Sequence, residues 1–137
     1  MFFKNEDTFK EKDYLVNIAA LLIHAAKIDE NFSEKEELII HKALLKLGAE
    51  GQNIEDIISE AKKLEENANQ ILDFTKEVKK MDEEKKIKIV ETLWRIIYSN
   101  KEADIYEANL MRRLCGLMYI DKMIMGDIKE KIKKENL

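Results

Sequence analysis

The stretch Asp13-Tyr14-Leu15-Val16-Asn17-Ile18-Ala19-Ala20-Leu21-Leu22-Ile23-His24-Ala25-Ala26-Lys27-Ile28 decides the fold. Between Tyr14 and Ala26 only Asn17 and His24 interrupt the apolar residues. A helix that is apolar on nearly every side must be covered on nearly every side, so this is the central helix of a bundle. Its longest unbroken apolar run, Ile18 to Ile23, is far short of the roughly 20 residues that cross a bilayer. Direct membrane insertion is therefore not expected.

The rest of the composition agrees. The chain has 137 residues, the size of one domain able to bury a real core. It contains 45% hydrophobic and 38% charged residues, with 4 Gly and no Pro. So few turn formers among so many Lys, Glu, Leu and Ile leave helix as the default and exclude a β-sandwich or barrel. The Gly-rich phosphate loops of nucleotide sites are absent too. A net charge of -4, with both signs interspersed, argues against a nucleic-acid partner. The N-terminal residues show no signal-peptide core, and the lone Cys115 suits a reducing compartment, so the expected location is the cytoplasm.

Capping signals divide the chain. Thr8 and Glu11 have capping-box spacing and open the first helix, with residues 1–10 as an N-terminal extension. Ser33 and Glu36 form a second box, and Gly48 ends the helix that follows. A third helix starts at Gly51-Gln52-Asn53, and a fourth carries Ile71, Leu72, Phe74 and Val78. Asp82 caps a fifth, in which Ile87, Val90, Trp94 and Ile97 recur at steps of three and four. Asp104 and Glu107 box a sixth, and Asp121 caps a seventh, the C-terminal helix of 121–137. The expectation is an all-α, single-domain bundle of about seven helices spanning residues 1–137. Shifting the chain by 71 residues lays Leu15–Gly48 over Lys86–Tyr119, two repeated helical hairpins.

Each hairpin loop gathers oxygen ligands. Asp29, Glu30, Asn31, Ser33 and Glu36 lie in the first; Asn100, Glu102, Asp104 and Glu107 lie in the second. Hard cations such as Ca²⁺, Mg²⁺ and Mn²⁺ take such oxygens from short loops. The same residues also serve as helix caps, and the spacing is not that of an EF-hand. Other chemistry is thin. His24 and His41 form no paired ligand motif, and His24 reads as a buried, hydrogen-bonded residue. Cys115 reads as a small buried hydrophobe and Trp94 as a core anchor. Met111, Met118, Met123 and Met125 read as packing.

Two segments resemble the TerB family, the tellurite-resistance protein B-like domain. The first runs Ala26-Lys27-Ile28-Asp29-Glu30-Asn31-Phe32-Ser33-Glu34-Lys35-Glu36, in which Asp29, Ser33 and Glu36 match and Glu30 replaces a Gly. The second, Leu93-Trp94-Arg95 through Tyr98 to Tyr106-Glu107 and Arg112-Arg113, is similar to a bacterial stand-alone branch, with Asn100 and Lys101 replacing Asp-Gly. The family also resembles the N-terminal helical region of some J-domain co-chaperones. The resemblance implies a seven-helix fold with two related halves and a link to tellurite and other stress responses. It further implies divalent-cation binding near the loops, through Asp29, Glu36, Asn100 and Glu107, with Asp29 and Glu36 favoured. The expected function is a non-enzymatic interaction module with a protein partner, in a bacterial stress or membrane-associated system. The alternative is a divalent-cation sensor.

Overall fold

The computed structural model describes residues 2–27, 33–67, 72–76, 78–99 and 105–135. Seven helices occur among them: α1 (Phe2–Ala26), α2 (Glu34–Lys46), α3 (Ile54–Asn67), α4 (Leu72–Thr75), α5 (Glu83–Tyr98), α6 (Ile105–Leu117) and α7 (Lys122–Glu135). Single 3-10 turns stand at Gly51–Asn53 and Val78–Lys80. No strand occurs among the described residues.

The apolar stretch sits where its composition requires. From Ile18 to Ile23 every side chain of α1 is buried. Helices α2, α3, α4 and α5 all pack against α1, and α5 is covered in turn by α2 and α7. Val90, Leu93, Trp94 and Ile97 of α5 complete the core from that side. Such burial supplies about 25 cal/mol for each Å² of apolar surface removed from water.

The caps explain where helices begin. Ser33 and Glu36 form the expected capping box. Asp82 accepts from the Lys85 N–H at 3.0 Å, and Asp121 accepts from the Met123 N–H at 2.7 Å. Each satisfies a backbone donor that has no partner inside its helix. Two boundaries differ from the expectation. Helix α1 starts at Phe2, so Thr8 lies inside it and residues 2–10 continue the helix. Among the described residues the fourth helix is the single turn of α4, and a 3-10 turn stands at Val78–Lys80.

The two halves agree more closely in backbone than in sequence. The bounds of α2, shifted by 71, are the bounds of α6. Both helices also end in the same hydrogen-bond pattern. Gly48 N–H reaches Leu45 O and Ala49 N–H reaches Leu44 O; Tyr119 N–H reaches Gly116 O and Ile120 N–H reaches Cys115 O. This is a Schellman end, which needs a left-handed residue just past the helix. In the first half that residue is Gly48, at φ 107°; in the second it is Tyr119, at φ 54°.

Candidate functional site

Two regions hold the candidate residues. The first is the end of the bundle where the two acidic loops attach. Asp29 and Asn100 lie outside the described residues, as does the side chain of Glu107. Glu36 is described, and it is 2% exposed. Its Oε1 accepts both the Ser33 N–H, at 3.0 Å, and the Ser33 hydroxyl, at 2.9 Å. In return Ser33 Oγ accepts the Glu36 N–H at 3.2 Å. The capping role therefore takes up one carboxylate oxygen of the favoured ligand. Close by, Lys35 Nζ donates to the carbonyl of Ser99 at 3.2 Å. That bond ties the start of α2 to the end of α5, so the residues flanking the two loops meet. Among the described residues, no group of three or more His, Cys, Asp or Glu is placed to hold a metal ion.

The second region is the corner between α6 and α7. Tyr119 and Met123 are 73% and 76% exposed. Tyr119 walls an open hollow of about 330 Å³ together with Met81, Glu83, Lys86, Ile87, Ile120 and Ile124. Lys79 Nζ lies 5.8 Å from the centre of the Tyr119 ring, a cation–π distance. A non-glycine residue in the left-handed region costs roughly 1–2 kcal/mol, and here an exposed aromatic carries that cost.

Residues 15–130 match the family model of the tellurite resistance protein TerB. The chain belongs to the TerB family. Comparison with curated proteins and with solved structures returns no match.

The TerB match runs from the buried part of α1 into α7, and so includes both loops and the α6–α7 corner. The first region was legible in the sequence through its capping boxes. The corner was not: Met123 was expected to pack and is instead exposed, because its side lies opposite the buried Met125 and Ile128 face of α7. One signal was present. Under the 71-residue shift Tyr119 falls on Gly48, which places a bulky residue where a helix end favours glycine.

The remaining singled-out residues are structural. Cys115 is buried, and its thiol donates to the Ile120 carbonyl at 2.9 Å. Burial pushes that thiol up, with Asp121 adding to the rise and Lys122 opposing it. A thiol so held is a poor nucleophile. Trp94 is buried as expected, stacked on Tyr98 at 5.8 Å with Lys129 Nζ 5.6 Å above its ring. His24 is hydrogen-bonded as expected but is not fully buried. It is half-exposed at the α1–α3 seam, where its Nδ1 lies 3.3 Å from Glu65 and Lys27 Nζ lies 2.7 Å from the same carboxylate. It holds two helices together rather than filling the core. No helix is long and apolar enough to cross a membrane among the described residues.

Proposed function

We propose that this TerB domain is a non-enzymatic interaction module that docks a protein partner in a bacterial stress-response or membrane-associated system, within the cytoplasm. One observation carries the reading: the α6–α7 corner, where Tyr119 and Met123 are both exposed and Tyr119 walls an open hollow. Strained residues persist where something other than stability retains them, and exposed aromatic and Met side chains are favoured at interfaces. A photo-crosslinking amino acid at Met123 tests this in cells. A discrete adduct from position 123, absent from the exposed control position Gln52 and lost with Tyr119→Asp, supports the reading. Equal labelling from both positions, or none from 123, overturns it.

A second reading is a divalent-cation sensor built on Asp29, Glu36, Asn100 and Glu107. The Lys35–Ser99 bond supports it, because the loops bearing Asp29 and Asn100 leave from neighbouring points. Amide NMR shifts during titration with Mg²⁺, Ca²⁺ or Mn²⁺ test it. Saturable shifts at Ser33 and Glu36 that vanish in Asp29→Asn support it; flat shifts at millimolar ion refute it.

A further inference from the structure

The groove between α2 and α5 has a character of its own. Two adjoining hollows of about 250 and 160 Å³ share Ala43, Lys46, Thr92 and Arg95. Ile39, Ala43 and Thr92 make the floor. The Thr92 hydroxyl is spent on its own helix, donating to the Lys88 carbonyl at 2.8 Å. Lys42 and Lys46 form one wall, one helical turn apart; Lys88 and Arg95 belong to the other. None of these residues lines the Tyr119 hollow.

The charges do not cancel. Glu91 takes Arg95 at 3.5 Å and Lys131 at 3.2 Å. Arg95 also grips Glu135 through both Nε and a terminal nitrogen, each at 3.2 Å. That grip holds the Glu135 carboxyl below its ordinary range, with Lys131 and Lys46 adding to the effect. Lys42, Lys46 and Lys88 make no ion pair among the described residues. The groove is thus cationic on a chain whose net charge is -4.

Apolar side chains flank the cations. Leu38 and Leu45 are 54% and 46% exposed on α2. With Lys42 between them they follow i, i+4, i+7 spacing and share one helical face. A free oxyanion would satisfy the lysines and leave both leucines wet. A flat bilayer would fit the concave floor poorly. An acidic amphipathic helix answers the unpaired cations and the leucines together: carboxylates one turn apart for Lys42 and Lys46, and an apolar edge for Leu38 and Leu45, with Glu91 already paired to Arg95 and Lys131. We infer that the α2–α5 groove is a docking site for an acidic amphipathic helix of a protein partner. It is a second face of the domain and stands whether or not the Tyr119 corner binds anything.

The test uses the full chain and a fluorescent synthetic helix with Glu at i and i+4 and Leu at i+3 and i+7. Anisotropy should show saturable binding at low salt that weakens as salt rises. Lys42→Glu with Lys46→Glu should weaken it by about tenfold or more, and the milder Lys42→Gln with Lys46→Gln by about threefold. Leu38→Ser with Leu45→Ser should also weaken it, whereas Tyr119→Asp should not. Circular dichroism confirms that each variant is folded. No saturable binding, or equal binding of a scrambled peptide of the same charge, overturns the inference. So does full competition by millimolar inorganic phosphate, which marks a simple anion site. Retention by phosphatidylserine vesicles that the lysine changes abolish, with no peptide binding, overturns it in favour of a membrane surface.

Discussion

Replacing Glu36 by Ala asks whether this carboxylate serves the helix or an ion. The change removes the acceptor for the Ser33 N–H and the Ser33 hydroxyl, both part-buried. A hydrogen bond to a charged group contributes about 1.5–3 kcal/mol when sheltered, and water recovers part of that at the half-exposed Ser33 donors. Two such losses, softened by the partial exposure of Ser33, give a destabilisation of about 2–3 kcal/mol. Ser33→Ala removes the cap to the Glu36 N–H and one of the two donors to Oε1, at a cost of about 1–2 kcal/mol. Its backbone N–H still reaches Glu36, so the double variant should fall short of the sum by about 1 kcal/mol. Urea unfolding monitored by circular dichroism measures all four corners of this cycle. For 137 residues, each kcal/mol should also lower the melting temperature by about 3–4 °C. A Glu36→Ala loss below about 0.5 kcal/mol, or simple additivity, would refute the capping account. If millimolar Mg²⁺ or Ca²⁺ then stabilised the wild type and not Glu36→Ala, the carboxylate would belong to an ion.

Further outcomes follow from other sites. Tyr119→Asn should relieve the left-handed strain, lose the exposed Lys79 contact and gain about 0.5 kcal/mol in urea unfolding, while a β-branched Val should lose stability. Tyr14 is pushed up to about 12 by burial and by Asp82, and its hydroxyl has no hydrogen-bond partner among the described residues. The folded state therefore keeps a proton that the unfolded chain gives up near pH 10, so stability falls as pH rises from about 10 to 12. Tyr14→Phe should leave neutral-pH stability within about 0.5 kcal/mol and flatten that part of the wild-type pH curve. Cys115 should react with a thiol reagent only as the chain unfolds; rapid labelling of the native protein would contradict its burial.

Much of the fold was legible because helices announce themselves locally. The burial of Ile18 to Ile23 follows from the absence of a polar face, and the Ser33, Asp82 and Asp121 caps follow from side chains that reach backbone within three residues. These forces act over one or two turns, so a linear reading captures them. The α1 start was missed because Thr8 and Glu11 carry cap spacing that the helix from Phe2 does not use as its beginning.

By itself the sequence determined an all-helical chain, a central apolar helix, and two half-repeats whose capping residues stand 71 apart. The tertiary structure alone decided which exposed surfaces could matter. Lys42 and Lys46 share one groove with Lys88 and Arg95 only because α2 lies against α5. Met123 is exposed only because α7 turns its other side to the core. The physical reason is range: caps and periodicity are settled between neighbours in the chain, whereas a binding surface is a property of helices brought together by burial.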